Sequence, residues 1–251
     1  MDFIHSFGFT TTQWLWLLLA AFVLGFSKTG VNGIFMLSVT IIASAFGSKE
    51  STGILLPWLL IGDIFAVIYY SRHVEWKNIW NLLPWVIIGL FTGVITGNQI
   101  DSDHFKYLIA FSVLICLIVM LINELKNGDI NVPEKLWFYA LTGIAAGFTT
   151  MVGNAGGPVL TLYLIAKGFK KNNFLGTITW LFFIVNIAKM PLQIFFWNNV
   201  TLSTVLLSPL MIPAIAAGAF TGAAVIKRMN EKPFRFLVIF ATAVTTVKLL
   251  L

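Results

Sequence analysis

Apolar runs of membrane-spanning or near-spanning length follow one another along the chain with only short polar breaks. Only 10% of the residues are charged, whereas a soluble domain averages about 25%. Membrane strands would alternate polar and apolar residues, which these runs do not. The sequence therefore predicts an all-α, polytopic transmembrane bundle. Its runs are Gln13–Phe26, Ile34–Phe46, Gly53–Tyr70, Ile79–Thr96, Phe105–Ile122, Leu136–Thr150, Pro158–Ala166, Phe174–Trp197, Leu202–Val225 and Phe234–Leu251.

A glycine-rich stretch, residues 147–158, interrupts the apolar sequence between Leu136 and Ile165. Its glycines and Pro158 disfavour a continuous helix. Non-helical backbone at membrane depth is tolerated only where protein buries it or where it lines a wet cavity. A weaker copy occupies residues 25–33. Two interrupted apolar segments in matching halves point to the binding site of a transporter.

Further matches between the halves predict an internal duplication. Residues 89–93 resemble residues 218–222, Pro84 matches Pro209, and Asp63 falls close to Asn186. We assign a first transmembrane repeat to residues 1–127 and a second to residues 128–251, forming one integral membrane domain. Each repeat is expected to contain a glycine-broken hairpin, re-entrant or made of short helices, and three spanning helices. A chance echo of small residues is the alternative interpretation.

The distribution of basic residues predicts the topology. Eleven of the sixteen lysines and arginines fall in four loops, within 72–77, 126–135, 167–171 and 227–235. If each broken hairpin returns to its own side, all four loops share one side, which the positive-inside rule makes cytoplasmic. The two repeats are then inverted, and both termini lie outside. A broken pair that crosses once would split the basic residues between the two sides.

The broken helices offer a candidate anion site. A helix that starts inside the membrane presents unpaired N–H groups and the positive end of its dipole. Gly156 and Gly157 would let a ligand approach these amides, and Pro158 suits the first turn. Tight helix crossing is the alternative role of the small residues. The side chains expected to add hydrogen-bond donors are Ser27, Asn32, Thr149, Thr150 and Asn154.

Three charged residues lie inside apolar runs or at their interruptions. Lys28 and Lys189 would each cost at least about 2.5–3.5 kcal/mol at membrane depth, so they require anionic partners or an anionic substrate. Lys28 could instead extend to the membrane surface. Asp63 is either the ion-pair partner of a lysine or a protonatable coupling site.

Other classes of function lack their residues in this sequence. His5, His73 and His104 are far apart, so no metal site and no cofactor are expected. No nucleophile–base set or nucleotide motif indicates an enzyme, and the net charge of +6 reflects the basic loops rather than nucleic-acid binding. The expected partners are a small anion and the lipid bilayer. Coupling to protons or another ion, and a homo-oligomer, stay open.

These motifs resemble those of the sulfite exporter TauE/SafE family of membrane permeases, also called TSUP. Residues 153–160 are similar to the second copy of its glycine-rich motif, and residues 25–36 are similar to a first copy with fewer glycines. Residues 49–53, 170–177 and 185–191 are similar to the segments that follow. Thr29–Gly33 departs from the pattern because it lacks the glycine cluster.

The resemblance implies transport of sulfite or an organosulfonate across the plasma membrane. The residues themselves indicate only an anion site between inverted repeats, used by alternating access. The expected substrate contacts are Ser27, Lys28, Asn32, Thr149, Asn154, Gly156, Gly157 and Lys189. A passive anion channel and a carrier of small carboxylates are the alternatives, and a structural membrane protein would have no transport activity.

Overall fold

The computed structural model of the protein describes residues 8–30, 34–46, 48–97, 99, 135–230, 232–234, 236–237 and 240. Across these ranges the regular structure is entirely helical, without strands, as the sequence predicts. A 3-10 turn, Ser71–His73, follows the third helix, and a π-helical turn, Gln193–Trp197, follows the seventh. The helices are α1 (Thr11–Thr29), α2 (Phe35–Phe46), α3 (Ser48–Tyr70), α4 (Trp76–Gly97), α5 (Leu136–Gly153), α6 (Gly156–Ala166), α7 (Lys171–Leu192) and α8 (Leu202–Lys227).

Five segments of the described chain are long and apolar enough to cross a membrane. They comprise α3 with its 3-10 turn, α4, α5, α7 with its π turn, and α8. Large apolar side chains on their outer faces are exposed, including Ile68 and Phe195. Such a surface is unfavourable in water and suits a lipid environment. The predicted runs Phe105–Ile122 and, for the most part, Phe234–Leu251 lie outside the described residues, so the third spanning helix of each half stays a prediction.

The glycine-rich stretches form hairpins that return to the side from which they start. Phe46 at the end of α2 lies 5.2 Å, ring to ring, from Phe9 just before α1. Likewise Lys167 after α6 donates to the Tyr139 hydroxyl near the start of α5, at 3.0 Å. The 11 residues of α6 span only about 16 Å, roughly half of a bilayer core, so α6 is too short to cross the membrane by itself.

The third helices of the two halves, α3 and α7, pack against each other and run antiparallel. Thr52 near the start of α3 accepts a hydrogen bond from the Asn199 side chain beyond α7, at 2.7 Å. At the opposite end, the Glu75 backbone beyond α3 donates to Thr177 near the start of α7, at 3.0 Å. Corresponding helices with opposite directions are what inverted repeats require. The exact repeat bounds, 1–127 and 128–251, stay predictions.

Each hairpin also packs against a helix of the other half: α1 against α8, and α5 against α4. The crossings are close because glycines meet backbone carbonyls. A Cβ on Gly25 would overlap the carbonyl of Ile215, and a Cβ on Gly147 would overlap that of Val86. Reciprocally, Gly218 faces the carbonyl of Phe22, and Gly89 faces that of Ile144. The glycines that match in sequence therefore make matching contacts.

Contacts gather the described basic loops at one end of the bundle. Lys167 reaches Asn78 after the loop of Arg72 and Lys77, at 3.3 Å. Lys171 donates to the carbonyl oxygens of Ile226, at 2.7 Å, and Met229. The start of α5, beside Lys135, lies at this end too, through the contact of Lys167 with Tyr139. This clustering of the basic loops is what the sequence predicts if each broken hairpin returns to the side from which it starts.

Candidate functional site

The break between α5 and α6 centres on Asn154. Its backbone is left-handed, with φ 54° and ψ 24°, a conformation that asparagine tolerates better than most residues. The Asn154 N–H donates to the Thr150 carbonyl at 3.1 Å, and the Ala155 N–H donates to that of Thr149 at 3.0 Å. These two bonds close the end of α5, and the chain then turns into α6.

The new helix begins at Gly156, with Gly157 and Pro158 in its first turn. The first N–H groups of any helix lack partners within it, and they form the positive end of its dipole. Pro158 contributes no N–H, as expected for a first-turn position. No acidic residue lies in this turn, so the helix start has no anionic partner of its own.

Lys189 of α7 lies against this break. It is 0% exposed, and its ammonium donates to the Thr150 carbonyl at 2.9 Å and to the side-chain oxygen of Asn154. Within the described chain it forms no ion pair, and its hydrogen-bond acceptors are the Thr150 carbonyl and the Asn154 side chain. The Nδ2 atom of Asn154 is buried and lacks a hydrogen-bond partner among the described residues. An unsatisfied buried donor is costly, typically about 1–3 kcal/mol.

The second lysine, Lys28, is held differently. It lies in the last turn of α1, and its Nζ is 2.6 Å from Oδ1 of Asp63 in α3. The other carboxylate oxygen, Oδ2, accepts from Asn186 Nδ2 at 2.6 Å. The absence of a side chain at Gly62 lets the aliphatic part of Lys28 pack against α3, because a Cβ at Gly62 would lie only 3.0 Å from Lys28 Cγ. The formal charges of the three buried ionisable side chains of this region, Lys28, Lys189 and Asp63, sum to +1.

A small cavity of about 30 Å³ lies between the two broken helices. One water-sized body needs about 10–15 Å³ on the same measure, so the space takes two or three of them. Polar donors and apolar side chains both face it, as is usual for ligand sites. Its lining residues are Ser27, Lys28, Phe35, Leu59, Thr150, Asn154, Gly157, Phe182 and Asn186.

The structure brings most of the predicted site residues together. Some line the cavity, and Lys189 contacts residues that line it. Ser27, Lys28, Asn154 and Gly157 line the cavity. Lys189 does not line it and instead contacts Asn154 and Thr150.

The other predicted residues take different places. Asp63 lies behind Lys28, and the Thr149 hydroxyl bonds within its own helix to the Ala145 carbonyl at 2.7 Å. Gly156 is packed against Thr150, where a Cβ would lie 2.7 Å from Cβ of that residue. Asn32 falls outside the described residues.

Sequence reasoning assigned no role to Asn186 or to the apolar wall of Phe35, Leu59 and Phe182. Asn186 had a usable signal, because it is a polar residue inside an apolar run, three positions before Lys189 and thus on the same helix face. The apolar wall had none, since these residues look like any others in a membrane helix. Within the described ranges, no group of three or more His, Cys, Asp or Glu side chains could hold a metal ion.

The chain matches the model of a known protein family. The family model of the sulfite exporter TauE/SafE matches residues 17–249, nearly the whole chain. No curated protein and no solved structure shows significant similarity to this chain.

Proposed function

The chain belongs to the sulfite exporter TauE/SafE family and is a multi-pass membrane transporter, and we propose that its substrate is a small anion, sulfite or an organosulfonate. We further propose that the anion binds in the cavity between the broken helices and crosses by alternating access. The small size of the cavity favours sulfite, which has four heavy atoms, over longer organosulfonates.

The observation that carries this proposal is the environment of Asn154. Asn154 lines the cavity, its side-chain oxygen accepts from Lys189, and its buried Nδ2 has no hydrogen-bond partner in the described chain. The first N–H groups of α6 begin two residues later, at Gly156. An oxyanion accepts hydrogen bonds from several donors at once, so it would satisfy Asn154 and the helix start together.

The charges support an anion as well. Lys189 contributes a positive charge that lacks a described carboxylate partner. A buried, unpaired ammonium is unfavourable, so an anion nearby would lower its free energy. In this scheme Lys189 acts through Asn154, whose amide it orients, and Lys28, Ser27 and Gly157 form the walls that contact the anion.

The arrangement of helices favours a carrier. The site lies where two hairpins from oppositely directed halves meet, and such halves can rock about a fixed site. Exposure of the cavity first to one side and then to the other would move the anion. We propose that the basic end of the bundle faces the cytoplasm, that the membrane is the plasma membrane, and that transport needs no enzymatic step.

The test is exchange transport in proteoliposomes that contain the purified protein. Radiolabelled sulfite outside should enter faster when unlabelled sulfite is inside, because a carrier returns faster when loaded. Methanesulfonate, thiosulfate and acetate, each in excess outside, would rank the substrates by competition. Uptake no faster than in empty liposomes for every anion would contradict the proposal. Flux without exchange acceleration would indicate a channel instead.

A further inference from the structure

We propose, on the basis of the proposed transport function, that Asp63 is a built-in counter-anion of Lys28. The substrate displaces the Asp63 carboxylate from Lys28, and the displaced carboxylate takes up one proton. Transport of the anion is then linked to a proton. An anion that crosses without a proton would exclude this coupling and leave the proposed transport function intact.

The geometry shows competition for one ammonium group. Lys28 lines the cavity, yet its Nζ already lies 2.6 Å from Asp63 Oδ1. Asp63 does not line the cavity and approaches from α3, behind the lysine. An anion that enters the cavity therefore meets a lysine whose charge is already neutralised.

The carboxylate cannot simply remain ionised beside a bound anion. Its side chain is 1% exposed, and water is not available to solvate it. Lys189 is not within ion-pair distance of Asp63, so a bound anion and the carboxylate would share Lys28 and would repel strongly in a low-dielectric interior. A proton on Asp63 removes the repulsion, and Asn186 can still bond the neutral group as it bonds Oδ2 now.

The surroundings of Asp63 contain few other groups that could supply or take this proton. From α1 only Lys28 approaches it, and from α7 the nearest charged residue is Lys189. The described helix α2 contains no titratable residue, and the only one in α8 is Lys227, at its end. Because the described helices around Asp63 offer no other acid or base, the proton is expected to come from water on the side where the anion enters. It returns to water when the anion leaves and the carboxylate re-forms its pair with Lys28.

The coupling can be measured as proton uptake on binding. Calorimetric titration of the purified protein with sulfite, in two buffers of different ionisation enthalpy, gives the number of protons taken up per anion. Any change in the protonation of sulfite itself contributes the same number of protons in every variant, so it cancels when the proton uptake of two variants is subtracted. The wild-type protein should take up about one proton per anion more than Asp63→Asn. Asp63→Glu should restore the uptake, and Glu75→Gln, which alters an acid bonded to Asn173 rather than to Lys28, should not change it.

A second measurement needs no variant. Methanesulfonate keeps its single charge near neutral pH, so its affinity for the wild-type protein should rise as pH falls, by up to about tenfold per pH unit. Equal proton uptake by the wild-type protein and Asp63→Asn, or an affinity for methanesulfonate that does not change with pH, would overturn the inference while leaving anion transport intact. Absence of binding by every anion would remove the transport proposal and this inference with it.

Discussion

Asp63 lies 2.6 Å from Lys28, and both side chains are nearly inaccessible, with relative exposures of 1% and 7%. The pair joins α3 to the end of α1, at the edge of the cavity. Removal of one partner from a buried ion pair leaves an uncompensated charge, which typically destabilises by about 3–5 kcal/mol, whereas removal of both is far less harmful.

The first prediction is therefore non-additivity at this pair. Lys28→Met and Asp63→Asn should each lower the thermal stability of the purified protein, and the double variant Lys28→Met/Asp63→Asn should be more stable than Lys28→Met alone. Unfolding followed by tryptophan fluorescence in detergent measures this. A double variant that loses the sum of the two single effects would show that the residues do not interact.

The second prediction separates the backbone role of Asn154 from its side-chain role. Asn154→Gly keeps the left-handed backbone without strain but removes the oxygen that accepts from buried Lys189, so the protein should lose some stability and should no longer be stabilised by sulfite. Asn154→Ala should be less stable than Asn154→Gly by about 1 kcal/mol, because alanine disfavours positive φ. Thermal-shift titration of both variants with sulfite gives both quantities. Sulfite stabilisation of Asn154→Gly equal to that of the wild type would remove this side chain from the site.

The third prediction distinguishes two adjacent glycines. A Cβ on Gly157 has room, since its nearest neighbour among the described residues would be Phe182 Cζ at 3.8 Å, but it would occupy cavity space. A Cβ on Gly156 would lie 2.7 Å from Thr150 Cβ and 2.9 Å from the Ala146 carbonyl oxygen. Gly157→Ala should thus fold normally and transport slowly, while Gly156→Ala should lose stability by about 1–3 kcal/mol. The opposite assignment would contradict the packing described above.

The fourth prediction concerns the glycine crossings. Gly25→Ala and Gly147→Ala should destabilise the protein to a similar extent, by about 1–3 kcal/mol or more, because each pushes a hairpin away from a helix of the other half. Gly168→Ala, at a loop position, is the control for steric overlap. A Cβ there would meet no described atom within 4 Å, so only the backbone strain from φ +74° is expected. The melting temperatures of Gly25→Ala and Gly147→Ala, each compared with that of the wild-type protein, test this prediction. A large effect at only one of the two positions would contradict the equivalence of the halves.

The fifth prediction is topological. Cys116 is the single cysteine, so its replacement by serine gives a background for labelling. A cysteine at Arg72, at the basic end, should react with a membrane-impermeant maleimide only after the cells are opened. A cysteine at Asn198, beyond α7 at the other end, should react in intact cells. The reversed pattern would place the basic end outside.

Much of the fold could be predicted because its determinants are local in the sequence. Long apolar runs give the helices, and the glycines with Pro158 place the break that the structure shows at Asn154. Loop charges predict that the hairpins return, and the contact between Phe9 and Phe46 confirms this for the first one. The matched glycines of the two halves predicted the repeat, and their contacts with the opposite halves agree with it.

The arrangement of the site could be predicted only in part. A lysine inside an apolar run must have a partner, but its sequence position does not reveal which one. Lys28 pairs with Asp63, whereas Lys189 turns to Asn154 and lies behind the cavity wall. That difference depends on the packing of α3 against α7, which brings together residues more than a hundred positions apart in sequence. The apolar wall formed by Phe182 and Leu59 likewise emerges only from packing.

Binding of sulfite to the purified protein and to Lys189→Met, measured by isothermal titration calorimetry, tests the central claim most directly. Lys227→Met, which removes an exposed lysine at the end of α8, is the matched control. Sulfite should bind the wild-type protein and Lys227→Met with equal affinity and should give no measurable binding heat with Lys189→Met. Wild-type affinity in a folded, monodisperse Lys189→Met protein would show that the anion does not rest at the break between α5 and α6.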